Sequence, residues 1–326
     1  MTRPPWCDDS NLPRVWCEHC GGKQLGIFDG IDDATYHADE GSLSSSGART
    51  IINRSPAHFR WERDHGRKPK KAFDLGHAVH GELLGVGQPV FVLDPEVHGL
   101  KADGTVSDAP ANTKAWKTAV ADARARGEVP VAIDDWAAVE RMVAEAHAHS
   151  TAHALLSSGV AEQSIYWRDE VTGELLRARP DWMRVGRGGR LVVLDAKTTS
   201  DASPDEFARS AGKFGYHCQQ AWYLDGIVAN WEAVCAAVGA DPTLDPHDPD
   251  KGPLFVFLVV EVDEPHPVLV AQLDPADVEL GRQLNRRAID IYAECRRTDQ
   301  WPAYGTEVHQ IALPYWNRKQ LEESLS

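Results

Sequence analysis

Two aspartates and a lysine that could together hold a hard cation and activate water fall within nineteen residues: Arg179-Pro180-Asp181, thirteen residues, then Asp195-Ala196-Lys197. The run Leu191-Val192-Val193-Leu194 leads straight into the second aspartate and reads as a buried strand. Side chains alternate faces along a strand, so Asp195 and Lys197 project to one side while Ala196 turns into the core. Carboxylate oxygens of this kind suit Mg²⁺ or Mn²⁺, and a nearby ammonium can orient a water for attack on phosphorus. A surface turn with a local ion pair would show the same residue types, so the surrounding elements must decide.

Those elements change period halfway along the chain. Residues 44–52, 56–63, 73–84, 112–126 and 134–156 carry helical spacing, with Ser55-Pro56 as a helix start. Three strands are expected next, at Glu162–Arg168, Leu175–Val185 and Arg190–Asp195, joined by glycine-bearing turns. A helix over Pro204–Ala229, strands at Leu254–Val262 and Val268–Leu273, a long helix over Pro275–Arg297 and a C-terminal extension complete the pattern. The order helix, three strands, helix, strand predicts an α/β fold, a central mixed sheet flanked by helices behind a helical N-terminal half.

Further residues line up with the acidic pair. Glu162 opens the first of the three strands and is placed to join the metal shell or hold a metal-bound water. His80 follows Gly76 by one helical turn on an apolar helix, so the small residue lets that helix approach the sheet and present imidazole; His77 lies on nearly the same face. Lys213, Tyr216, Gln219, Gln220 and Tyr223 form a polar and aromatic stripe on the helix after the lysine, suited to gripping a nucleic-acid strand.

Charge and cysteine content bound the remaining classes. With 34 basic and 49 acidic residues the net charge is -15, which argues against nonspecific coating of DNA. One segment, running from Arg60 through Arg63, Arg67, Lys68, Lys70 and Lys71, is locally basic and is the candidate for backbone contact. No apolar run approaches the roughly 20 residues that span a bilayer, so a cytoplasmic protein is expected. Cys218, Cys235 and Cys295 read as buried thiols. Cys7, Cys17 and Cys20 look like part of a zinc knuckle in an N-terminal arm of residues 1–25, although a structural site takes four ligands and only His19 or His37 stands near.

Taken together, Gly76-His77-Ala78-Val79-His80, Glu162, Arg179-Pro180-Asp181, Asp195-Ala196-Lys197-Thr198-Thr199 and Gln219-x-x-x-Tyr223 resemble the RecB-like branch of the PD-(D/E)xK nucleases. More narrowly, Tyr36-His37, Leu43–Gly47, Ser55–His58 and Tyr216–Gln219 resemble phage exonuclease VIII (RecE-like) proteins, over residues 26–326 as one exonuclease domain. The resemblance implies a Mg²⁺-dependent exonuclease that digests linear duplex DNA from 5′ ends, in a bacterial cytoplasm and encoded by phage or prophage. Its 3′ single strands would pass to a RecT-like annealing recombinase, and the enzyme would be a trimer or tetramer. Carried over by position, His80, Asp181, Asp195 and the carbonyl of Ala196 would bind metal with Glu162 nearby. Lys197 would position the attacking water, and Gln219 and Tyr223 would steady the scissile phosphate. Many relatives end the His80 helix in a glutamate, where Leu84-Gly85 stand here. The rival readings are a CRISPR-associated RecB-like nuclease, which would need one early and three late cysteines for an iron-sulfur cluster, and a catalytically idle DNA-binding or assembly protein.

Overall fold

The computed structural model describes residues 25–66 and 71–325, with the side chains of residues 71–73 excepted. Cys7, Cys17 and Cys20 of the proposed zinc arm lie outside the described residues, as do Arg67, Lys68 and Lys70. In chain order the strands are β1 (Gly26–Phe28), β2 (Leu43–Ser44), β3 (Val90–Leu93), β4 (Val129–Ala132), β5 (Val160–Ala161), β6 (Ser164–Arg168), β7 (Leu175–Ala178), β8 (Trp182–Val185), β9 (Leu191–Thr199), β10 (Leu254–Glu261) and β11 (Val268–Ala271). The helices are α1 (Asp33–His37), α2 (Ser45–Asn53), α3 (Pro56–His65), α4 (Lys71–Leu84), α5 (Pro95–His98), α6 (Lys114–Ala125), α7 (Ile133–Ala148), α8 (Ser150–Leu156), α9 (Pro204–Phe214), α10 (Tyr216–Ala229), α11 (Trp231–Val238), α12 (Pro275–Thr298) and α13 (Tyr315–Ser324). No helix among the described residues is long and apolar enough to cross a membrane.

The expected α/β fold is present, built on a five-stranded mixed sheet of order β11-β10-β9-β8-β5 in which β9 and β10 run parallel. Strand alternation supplies both cores. Leu191, Val193, Phe255 and Phe257 face α10 and α12, packing with Trp222, Ala288 and Tyr292. Val192, Leu194, Val256 and Leu258 face the other way, onto Ala78 and Val79 of α4 and Val139 and Met142 of α7. Each such side chain contributes roughly 1.5–3 kcal/mol on burial, so β9 and β10 are pinned from both sides.

Two of the expected strands are bent. Glu162–Arg168 does not begin at Glu162: the chain pairs as β5 in the five-stranded sheet, kinks at Glu162 (φ +46°), and resumes as β6 in a second sheet of order β1-β6-β7-β2. Leu175–Val185 likewise breaks at Arg179-Pro180-Asp181 into β7 and β8. Proline cannot donate to a ladder, so it sits where the strand changes sheets. The two kinks face each other, the Glu162 amide donating to the Asp181 carbonyl at 3.0 Å.

The helix expected over Pro204–Ala229 is two helices. Gly215 (φ +69°) ends α9 with its amide on the Ala211 carbonyl and turns the chain into α10. A left-handed glycine is a common helix terminator. The stretch 134–156 also divides, here at an extended residue, His149, which caps α8 by accepting the Ala152 amide at 3.2 Å. The helical first half also carries short strands that periodicity did not show, β1 and β2 on the second sheet and the parallel pair β3 and β4. Near the C-terminus, Trp301 stacks on Phe59, after which Val308, Ile311, Tyr315 and Trp316 are exposed.

Candidate active site

The site exists because β9 is longer than its neighbour. β8 pairs with β9 only from Leu191 to Leu194, whereas β10 follows β9 to Thr199. From Asp195 onward one edge of β9 is therefore open. The kink at Asp181 folds its carboxylate into that gap, where Oδ2 accepts the Ala196 amide at 2.8 Å. In an extended strand the N–H and C=O of one residue point to the same side, so the Ala196 carbonyl faces the gap as well.

The side chains converge as their spacing implied. Asp195 is fully buried and takes the Lys197 ammonium on Oδ2. Its Oδ1 accepts Gln219 Nε2 at 2.8 Å, and the same amide nitrogen lies 3.1 Å from the Tyr223 hydroxyl. Gln219 therefore orients this carboxylate, and the Tyr223 hydroxyl accepts from Gln219 in turn. Lys197 also lies 4.9 Å from the centre of the Tyr216 ring.

From the opposite wall, α4 presents His80. Its Nε2 is 3.3 Å from Asp181 Oδ1 and its Nδ1 is 3.6 Å from Glu162 Oε1. α4 passes β9 closely at Gly76, where a Cβ would stand at ordinary contact distance, 3.5 Å, from Thr198 Oγ1 and a longer side chain would have no room. Glu162, Asp181, Ala196, Lys197, Gln219 and Tyr223 all line one cleft of about 550 Å³, and His77 lies along its wall.

Electrostatics set the state of each group. Burial drives the pKa of Asp195 up to about 6 against the pull of Lys197. Burial works the same way on Asp181, but His80 and Lys197 outweigh it and hold that carboxylate below its usual range. Desolvation raises Glu162. It opposes the charge on His80 and on Lys197, yet the surrounding carboxylates prevail, pushing His80 up to about 9 and raising Lys197.

Among the described residues, no set of three His, Cys, Asp or Glu side chains stands in ligating geometry, because Lys197 and His80 cap the carboxylates. The donor chemistry nevertheless fits Mg²⁺ or Mn²⁺: hard oxygens from Asp181 and Asp195, the Ala196 carbonyl on the same edge, and Glu162 beside them. For His80 to ligate, it must first lose the proton that Asp181 and Glu162 stabilise.

The remaining candidates separate by position. Lys213 belongs to α9 and not to the helix of Tyr216; it is exposed, with its ammonium 5.2 Å from the Phe214 ring. Gln220 is buried in α10. Arg63 is engaged by Asp64 at 3.4 Å and by the face of Trp301, so it is not a free cation for a DNA backbone. Lys71 opens α4. Cys218, Cys235 and Cys295 are buried free thiols, as expected. Sequence reasoning missed Arg49 of α2, which lines the cleft and donates Nη1 to the Phe214 carbonyl at 2.9 Å. A lone arginine on a short helix gave no signal by itself.

A bent hairpin beside an overrunning strand, with Asp181 at the bend and Asp195-Ala196-Lys197 on the open edge, defines a PD-(D/E)xK-type core. The family described as "PDDEXK-like domain of unknown function (DUF3799)" matches residues 44–313, and the chain belongs to it. Among solved structures, a "Putative exonuclease" from Eubacterium rectale shares the fold. Its TM-score is 0.52 at 11% identity, over 89% of this chain and 98% of that one. The crystal structure of SSO0001 aligns at a TM-score of 0.25 and 11% identity, over 68% of this chain and 85% of that one, too weakly to bear on the fold. No curated protein matches the sequence.

Proposed function

We propose that the protein is a metal-dependent DNA nuclease and, more narrowly, a RecE-like exonuclease that digests linear duplex DNA 5′ to 3′. The observation that carries this reading is the convergence of Asp181 and Lys197 in a cleft walled by His80 and Tyr216, with buried Asp195 directly beneath Lys197 at the open edge of β9. A divalent cation bound there would polarise a phosphate and lower the pKa of water. Asp181, Asp195 and the Ala196 carbonyl are the groups to hold it. Gln219 and Tyr223 fix Asp195 in place. Lys197, anchored on Asp195, has ammonium hydrogens left to orient a nucleophilic water or a phosphate oxygen. The product would be a 5′-phosphorylated nucleotide.

Delivery of 3′ strands to a RecT-like annealing recombinase, and assembly as a trimer or tetramer, belong to the same proposal. The exposed apolar side chains Val308, Ile311 and Trp316 offer surface that a second copy could cover, which supports association. The test is a time course on end-labelled linear, nicked and circular DNA with Mg²⁺ or Mn²⁺. Progressive shortening of linear duplex only is expected. Cutting of covalently closed circles would exclude an exonuclease, and intact DNA under every condition would remove the nuclease reading.

A further inference from the structure

α2 begins inside the cleft, where Ser44, Ser45, Ser46 and Arg49 all contribute to the wall. The first N–H groups of a helix lack intrahelical partners and carry partial positive charge. Here the Gly47 amide is capped by Ser44 Oγ at 3.2 Å. Two neighbouring side chains are not accounted for by capping. Ser45 is only 4% exposed, and its hydroxyl oxygen has no hydrogen-bond partner. An unpaired buried hydroxyl is destabilising, because it gives up its water partners and gains none.

Arg49 is the second. Its guanidinium reaches one backbone carbonyl, that of Phe214, and among the described residues it makes no ion pair with a carboxylate. The arginine stem packs over Gly215, at 3.0 Å from where a Cβ would stand. Gly215 leads directly into Tyr216, whose ring lies beside Lys197. The guanidinium, bonded to one carbonyl and to no carboxylate, lies within electrostatic reach of Asp195.

We propose that Ser45, Arg49 and the first turn of α2 form a phosphate-binding subsite that holds a phosphate of the substrate strand adjacent to the one being cut. This rests on the nuclease reading. A guanidinium can present paired N–H donors to two phosphate oxygens, while the hydroxyl and the helix amides serve the others. The bound group is either an interior diester or the monoester at a 5′ end, since both present the same charged oxygens.

The test uses the full chain, with calorimetry in Mg²⁺ and again in EDTA. The probes are inorganic phosphate, thymidine 5′-monophosphate, and a thymidine dinucleotide carrying only an internal diester. Steady-state cleavage of linear duplex is measured in parallel. Ser45→Ala and Arg49→Ala should each weaken probe binding at least about 10-fold and raise KM for DNA by a similar factor, with a smaller change in kcat; Arg49→Lys should recover part of the loss. Ser45→Ala should melt no lower than the parent, because it removes an unpaired hydroxyl, so misfolding does not imitate the effect. Preference for the monophosphate over the dinucleotide would place a strand end in the subsite, and equal binding an interior diester. Unchanged binding and KM in both variants of a protein that cleaves DNA would overturn the subsite and leave the nuclease reading intact. Probe binding that depends on Ser45 and Arg49 in a protein that cuts no DNA would do the reverse.

Discussion

The two halves of β9 are one continuous strand and behave as two different materials. Val192–Leu194 is paired on both edges, and Leu191–Leu194 is apolar on both faces and buried throughout, so every residue serves cohesion. Asp195–Thr199 keeps β10 on one edge and loses β8 on the other, so backbone and carboxylate groups there answer to α4, α10 and the Asp181 kink. Stability and chemistry can thus be assigned to adjacent residues. The change falls between Leu194 and Asp195.

Breaking the open half should have the largest effect on chemistry. Asp195→Asn and Lys197→Ala are each expected to lower DNA cleavage by at least about 10²-fold, since the first removes a carboxylate that would hold the metal and the second the ammonium that would orient the water or phosphate oxygen. Circular dichroism should show both still folded. Cleavage at the parental rate by either variant would remove the assignment.

The closed half should respond in the opposite sense. Leu194→Ala empties part of a fully packed site and should cost roughly 2–5 kcal/mol in urea unfolding, with near-parental kcat for the molecules that remain folded. A large loss of kcat without a loss of stability would show that the boundary is misplaced.

Acid–base titration sharpens the contrast further. His80 in the folded state has its pKa raised to about 9 from an ordinary 6.5, so its stabilising share is complete below pH 6.5 and is lost as pH rises through 9. That share is roughly 3 kcal/mol. Asp195, raised to about 6 from 3.8, also favours the folded state at the acid end, and its contribution fades between those values. In chelated protein these two groups should therefore withdraw stability in two steps as pH rises, the Asp195 step being offset by Asp181, whose lowered carboxyl contributes in the opposite sense. His80→Gln should abolish the upper step and Asp195→Asn the lower; a parental profile in either variant would contradict the local pairing. Saturating Mn²⁺ should flatten the upper step, because a dication competes with the imidazolium proton.

The smallest effect is expected where α4 crosses the open half. Gly76→Ala adds a methyl at ordinary contact distance from Thr198 and replaces a poor helix former, so a gain of up to about 1 kcal/mol with retained cleavage is expected. Gly76→Leu would push the helix away from the sheet and raise the metal concentration needed for activity. Equal metal titrations for the two variants would show that His80 does not depend on that approach.

Much of the site was legible because it depends on local geometry. The apolar run Leu191–Leu194 and the two-residue alternation determined that Asp195 and Lys197 share a face, and one helical turn determined that Gln219 and Tyr223 meet. The fold class followed from the change of period near residue 160, and the start of α3 from Ser55-Pro56. Other features needed the tertiary structure. Glu162 and Asp181 become neighbours only because two strands kink together between sheets, and no single-strand pattern encodes a kink that its partner must match. Lys213 and Tyr216 read as one stripe until Gly215 turned left-handed between them. Arg49 acquired its place from Gly215 and Phe214, far along the chain, and whether a guanidinium is left without a carboxylate depends on which groups packing brings near it. Periodicity determines which face a residue takes; only packing decides what that face meets.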